Sequence, residues 1–383
     1  MHGLRAPILL GWLCLASAVV IDCDAALAQR QPEAAMVPLR IAFLGDSITD
    51  GYTYPQLVRD SLAKSRKIGV LAINAGIGGD TMAGMEARLQ RDVLDHHPDL
   101  VTISAGANDA GHGVTAQDYE KAMRAAVDAI LARKVKVILL APVWWPHKSP
   151  NKMDQYEQVI RRIAAEKRLP VAEVTRCMSA DAAAGHPQHA QDGVHPNYTG
   201  QRRIARAVLD AMGYPDVPVV ERVSAVLDPE VVRDWSFRTV GKSERPLTET
   251  TVAAVAVDAS WKAVRVPIAK TDYTGQDWES LAWLDDFRRE GMAIQLDVNV
   301  GPAEKFIGLA KIPSDRERSV VLQTGGDVSV VWLNGKQVCR NEWLRGWHPG
   351  RDATPVALRS GTNTLVVETG RNCWVRISDR PLW

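Results

Sequence analysis

The chain has 383 residues, 46% hydrophobic and 24% charged, the balance of an ordinary globular protein with room for two domains. Its formal net charge of +1 offers no field for nucleic acid or an anionic membrane, so neither is expected as a partner. Twelve Trp stand against four Phe, and most of the Trp lie beyond residue 230, so the two halves differ in kind.

The N-terminus reads as a leader. His2 and Arg5 precede the apolar stretch PILLGWLCLASAVVI, and Ala26-Leu27-Ala28 offers a cleavage site before Gln29. A basic start, a short apolar core and an A-x-A site describe a secretory signal peptide over residues 1–28, so a secreted or periplasmic location is expected. No other segment approaches 18 apolar residues, so no membrane span is expected in the mature protein. Cleavage would leave Cys177, Cys339 and Cys373. Cys339 and Cys373 share the strand-rich half and are the expected disulfide pair, with Cys177 a buried free thiol. No Cys/His cluster has zinc-ligand spacing.

From residue 38 to 213 the pattern alternates. Near-continuous apolar runs at LRIAFLG, IGVLAINA, DLVTISAG, VKVILLAP and LPVAEV predict strands buried on both faces. Between them YPQLVRDSLAKS, MEARLQRDVLDHH and QDYEKAMRAAVDAILARK have helical period. A last helix follows HPNYTG and is closed by Gly213 and Pro215. The fold class is α/β, a doubly wound parallel sheet. Residues 214–229 read as a linker. From 230 to 383, AVAVDAS, SVVLQT, VSVVWLNGK, TPVALRS and TNTLVVETG alternate with Asn-Gly, Gly-Gly and Ser-Gly turns, which predicts an all-β sandwich.

Open α/β sheets bind ligands beyond the carboxyl ends of their strands, and the unusual polar residues of the first half sit there. Gly45-Asp46-Ser47 follows the first strand, NAGIGGDT (74–81) the second and GAND (106–109) the third. Asp192-Gly193-Val194-His195-Pro196 precedes the last helix. Ser47 needs a base, and His195 lies in a loop that can return to the same edge. Asp192, three residues earlier, can fix the imidazole's tautomer and orientation. The N–H of Ser47, a glycine N–H in a tight loop and an Asn side-chain amide would serve a developing oxyanion. No metal or organic cofactor is implied.

The four blocks, in this order, resemble the SGNH subclass of GDSL esterases and lipases over about residues 38–213. The resemblance implies a flavodoxin-like sheet, Ser47 as nucleophile, Asp192 and His195 as its partners, and an oxyanion hole of Ser47, Gly79 and Asn108. Gly76 and Gly78 are alternative placements of the glycine; Gly79, directly before Asp80-Thr81, fits best. The G-x-S-x-G elbow of α/β-hydrolases is absent.

Other residues have plainer expectations. Asp46 and Asp109 should hold loops by accepting from backbone amides, and Thr49 and Asp50 should cap the first helix. His96 and His97 should close a helix, and His186 and His189 should lie in a mobile solvated loop. Asn197-Tyr198-Thr199 matches a glycosylation acceptor. Trp144 and Trp145, after the fourth strand, either wall the substrate site or pack beneath a loop. No Leu/Phe-rich lid is inserted, which favours a small acyl group. In the second half, VWLNGKQV and LRSGTNTLVVET resemble galactose-binding-like modules. There Trp332 and Trp374 are expected in the core, and Trp343 and Trp347 are candidates for stacking on a glycan. The combined expectation is an exported esterase acting on O-acetylated carbohydrate. A lysophospholipase or thioesterase, or an inactive glycan-binding protein, are the alternatives.

Overall fold

The computed structural model describes residues 38–51, 53–145, 150–190, 192–221, 223–224, 230–265, 272–273, 294–341 and 352–381. The expected leader, Trp343 and Trp347 lie outside the described residues.

The first half forms a five-stranded sheet from β1 (Leu39–Gly45), β2 (Val70–Gly76), β3 (Leu100–Ser104), β4 (Lys136–Leu140) and β5 (Val171–Ala172). Its order is β2-β1-β3-β4-β5, and every pairing is parallel. Both faces are covered, as the apolar strands required. Along β1, Ile41 and Phe43 enter one buried cluster, while Ala42 and Leu44 enter another. This is the two-residue period of a strand with helices on each side.

The helices are α1 (Ser47–Asp50), α2 (Thr53–Arg66), α3 (Met82–Ala87), α4 (Leu89–Asp92), α5 (Ala107–His112), α6 (Ala116–Ala132), α7 (Pro150–Lys167), α8 (Val174–Ala183) and α9 (Tyr198–Ala211). Residues of α2, α8 and α9 share the cluster of Phe43, while α3, α4, α6 and α7 share that of Leu44. The continuous helix expected over 85–97 is broken. It becomes α3, α4 and a 3-10 turn at Leu94–His96, with the first break at Arg88, whose side chain is buried.

Two expectations about caps are corrected. Asp46 caps α1 by accepting from Ile48 N at 3.0 Å, whereas Thr49 and Asp50 lie inside that helix. The last helix begins at Tyr198 because Asn197 accepts from Gly200 N at 2.9 Å. Asn197 is 7% exposed and its amide donates to Pro187 O, so the acceptor motif is not open to glycosylation in the folded chain.

Residues 214–221 are strapped onto the α/β domain. Arg206 donates to Tyr214 O, Tyr198 Oη to Glu221 O, and Val220 N to Ser61 Oγ. The Phe43 cluster runs on through Val217, Val220 and Val223 to Trp235 and Phe237.

Beyond the strap come β6 (Val223–Ser224), β7 (Asp234–Thr239), β8 (Lys262–Arg265), β9 (Asp272–Tyr273) and β10 (Ile294–Gln295). Then follow β11 (Phe306–Ser314), β12 (Arg318–Leu333), β13 (Lys336–Arg340), β14 (Asp352–Leu358) and β15 (Gly361–Ser378). An antiparallel sheet runs β13-β12-β15-β11-β7-β8, with β14 added on β12 and β10 on β15. β12 changes partner midway, from β14 to β13, and its register against β15 shifts between Gly326 and Val330. Such bulges bend a strand and let one strand serve two parts of a core. Trp332 and Trp374 are buried, as expected. AVAVDAS is not a strand: it follows a helical turn at Glu249–Val252, and Val257 is exposed.

The expected disulfide is absent, since Cys177, Cys339 and Cys373 are all free thiols. Cys373 pairs with Gly326 on one side of β12, and Cys339 pairs with Val331 on the other. That offset along the strand alone is roughly 16 Å, whereas a disulfide needs Cα atoms within about 7 Å. Cys177 is half-buried rather than buried.

Gly76 ends β2 against α1, where a Cβ would overlap the backbone N of Asp50, an atom with no freedom to retreat. Gly76→Ala should therefore destabilise the chain by about 2 kcal/mol in urea unfolding. Gly69→Ala, where a Cβ makes ordinary contact with Pro38, should stay within about 0.5 kcal/mol of the parent.

Candidate active site

β1, β2 and β3 finish level: Gly45 is in register with Gly76 on one side and Ser104 on the other. Three loops therefore leave the sheet side by side. A Cβ at Gly45 would overlap the Thr49 side chain, so glycine at both strand ends lets α1 settle directly on the edge. Asn74 pins it there, donating to Thr49 O at 2.7 Å and accepting from Gly76 N at 2.9 Å.

Ser47 is the first residue of α1, and its Oγ lies 2.9 Å from His195 Nε2. His195 Nδ1 lies 2.6 Å from Asp192 Oδ2. Burial works to raise the Asp192 carboxyl, but hydrogen bonds from His195 Nδ1 and from the N–H groups of Val194 and His195 prevail. They hold it below the usual carboxylate range. An ionised Asp192 only accepts, so Nδ1 carries the proton and Nε2 is left to accept from Ser47. The loop is braced from outside. Trp145 Nε1 donates to Val194 O at 2.9 Å, Ala190 N donates to His195 O, and His189 bridges to Pro196.

Of the three candidate glycines, Gly76 is excluded as an oxyanion donor because its N–H is spent on Asn74. Gly78 and Gly79 form a turn closed by Asp80 N donating to Ile77 O at 3.1 Å. Gly79 has φ +79°, which an L side chain resists in that position. A Cβ on Gly78 would lie 4.0 Å from the Cβ of Ser47, so this turn flanks the serine. Asn108, near the start of α5, donates one amide hydrogen to Asp80 O at 3.0 Å and keeps the other.

Trp144 and Trp145 behave differently from each other. The Trp145 N–H supports the histidine loop. The Trp144 ring lies 6.1 Å from that of His189, and with His186, Pro187 and Gly193 it lines a cavity of about 440 Å³. His189 is half-buried in this arrangement, contrary to the solvated loop expected, while His186 is exposed. A cavity of similar size, about 450 Å³, lies in the β domain between Glu244, Lys305, Asp327 and Arg371 and contains none of these residues.

Residues 43–203 match the GDSL-like Lipase/Acylhydrolase family. The chain carries a GDSL-family hydrolase domain. An acetylxylan esterase of Geobacillus stearothermophilus is 28% identical over 206 residues, 46% of this chain and 94% of that protein. An arylesterase of Vibrio mimicus is 25% identical over 205 residues, 52% of this chain and 96% of that protein. A crystal structure of the Geobacillus acetylxylan esterase overlays with TM-score 0.43 at 27% identity, covering 46% of this chain and 94% of that one. The GDSL domain is that of a carboxylic ester hydrolase.

Sequence reasoning missed the buried charges behind the serine of the GDSL domain. Asp46, Asp80, Asp92 and Asp109 are all buried, together with Arg88. Arg88 donates to Asp80 Oδ2 at 2.7 Å, Asp92 Oδ2 at 3.1 Å and Gly45 O at 3.0 Å. Asp109 accepts from Met82 N, so it and Asp46 do hold loops through backbone amides. Burial, with Asp109 and Asp80 nearby, pushes Asp46 up from 3.8 to about 7 against its bond to Ile48 N.

The folded state thus holds the Asp46 proton more tightly than the unfolded chain does. That contribution to stability is complete below pH 3.8 and is lost as the pH rises through about 7. Its upper bound is on the order of 4 kcal/mol. Asp46→Asn keeps a capping side chain, so urea unfolding of the variant should lose less stability than the parent between pH 4 and 7.5. Identical slopes would contradict the assignment.

Proposed function

We propose that the protein is an exported serine esterase that removes small acyl groups, acetyl above all, from carbohydrate. The single observation that carries the serine-esterase reading is the chain from Ser47 Oγ through His195 to Asp192, with separations of 2.9 and 2.6 Å. Ser47 attacks the ester carbonyl as His195 Nε2 takes its proton, and Asp192 stabilises the imidazolium. The N–H groups of Ser47 and Gly79 and the free amide hydrogen of Asn108 receive the oxyanion. The imidazolium then protonates the departing alkoxide, leaving an acyl-Ser47. Water, deprotonated by His195, attacks that ester and releases the acid and the serine.

The position of Ser47 assists this. It is the first residue of α1, and the N–H groups of Ile48, Thr49 and Asp50 all go to Asp46, so of that turn's N–H groups the one of Ser47 itself is left to meet an oxyanion. Support for the acyl group and the carbohydrate is of another kind. Two of the curated relatives are named acetylxylan esterases, and Trp144 supplies a flat apolar ring with a polar edge in a cavity next to the histidine loop. Export rests on the leader-like residues 1–28. Trp145, occupied with Val194, is assigned to holding the loop rather than the substrate.

Ser47→Ala should lower hydrolysis of 4-nitrophenyl acetate by something on the order of 10⁶-fold if the three groups act as a unit. Undiminished turnover would sink the reading. In the parent, acetate release from acetylated xylan fragments should exceed release of octanoate from an octanoyl ester; the reverse preference would favour a lipid or thioester substrate.

A further inference from the structure

We infer that Asp80 and Arg88 are positioning residues that hold the oxyanion hole in register with the nucleophile. The inference rests on the esterase reading and adds to it two residues outside the triad and the three proposed donors.

Asp80 follows Gly79 directly, and all its polar groups are engaged. Its N–H closes the glycine turn onto Ile77 O, and its carbonyl receives the Asn108 amide at 3.0 Å. Its Oδ1 accepts from Thr81 N at 3.0 Å, and its Oδ2 accepts from Arg88 Nε at 2.7 Å. The orientation of Asn108 and the path of the chain at Gly79 therefore depend on one residue. With one amide hydrogen of Asn108 tethered to Asp80, the direction of the other is set.

Arg88 ties that residue to the serine. Its guanidinium spans from Asp80 to Gly45 O, the last carbonyl of β1 and two residues before Ser47, with Asp92 taking the third bond. The side chain is 2% exposed, so water does not screen the pair. Burying a guanidinium among carboxylates is seldom the most stable way to fill a core, and what it supplies is defined geometry. The molecule also makes room for it: a Cβ on Gly84 would overlap the Asp80 carboxylate. Each proposed donor is thus joined to this pair. Gly79 connects through the chain, Asn108 through a hydrogen bond, and Ser47 through Gly45.

Displacing catalytic donors by about 1 Å costs on the order of 100-fold in rate, while the ground-state ester is bound mainly by other contacts. Asp80→Asn keeps the shape, and Arg88 retains Asp92 and Gly45 O. In this variant kcat for 4-nitrophenyl acetate should fall about 10- to 100-fold with KM within about twofold. The inhibition constant of phenylboronic acid, whose serine adduct places an oxygen in the hole, should rise by a similar factor. Arg88→Lys should retain more activity than Arg88→Met, because a cation still faces Asp80. If Asp80→Asn fails to fold, this pair of Arg88 variants decides on the same readouts. An unchanged kcat in a folded variant would overturn the inference, as would loss of rate without weaker boronate binding. The esterase reading fails separately: there the parent would not hydrolyse the ester, or Ser47→Ala would match it.

Discussion

Three parallel strands end at one level, and the loops of Ser47, Gly79 and Asn108 all hang from that register. Gly45, Gly76 and Ser104 are lateral neighbours, so the loops carrying Ser47, Gly79 and Asn108 start from a common line. A one-residue slip in either pairing would move a loop by about 3 Å and exchange the two faces of a strand. The apolar residues of β1, divided between two separate clusters, prevent that slip. Packing thus sets the position of the turn that carries Ser47.

The contact between α1 and the strand ends adds a second constraint. Helix and sheet meet so closely that neither Gly45 nor Gly76 can carry a side chain. The helix brought in this way presents Ser47 at its N-terminus with Asp46 as cap. Capping and the placement of Ser47 are one arrangement, since the turn that satisfies the first helical N–H groups also leaves the serine side chain partly exposed. Asp46, buried beside Ser47 and pushed up to about 7 chiefly by that burial, is the electrostatic consequence of sinking this turn into the domain.

Much of the α/β half was legible in the sequence because its signals are local. Apolar runs marked the strands, and the loops of Ser47, Gly79 and Asn108 do lie beyond strand ends, as their polar residues suggested. Asp192 and His195 share one short loop, so their pairing needs no long-range information. What was missed depends on distant partners. Arg88 looks like one charge on an amphipathic helix, and no periodicity reveals that it turns inward to Gly45 and Asp80. Thr49 and Asp50 carry cap-type side chains, yet Asp46 occupies the cap because β1 ends one residue before it. Cys339 and Cys373 share a domain but face β12 from opposite sides, which strand texture cannot disclose. The strap at 214–221 reads as a linker by composition, and it is its hydrogen bonds with α2 and α9 and the burial of Val217 and Val220 that show it bound.

In the proposed mechanism Ser47 becomes acylated with His195 as its base. Intact-mass and peptide mass spectrometry after treatment with a fluorophosphonate ester tests it most directly. One adduct per chain is expected, located on the peptide containing Ser47, with ester hydrolysis lost in proportion to labelling. An adduct on another residue, or full hydrolytic activity in protein labelled at Ser47, would contradict it.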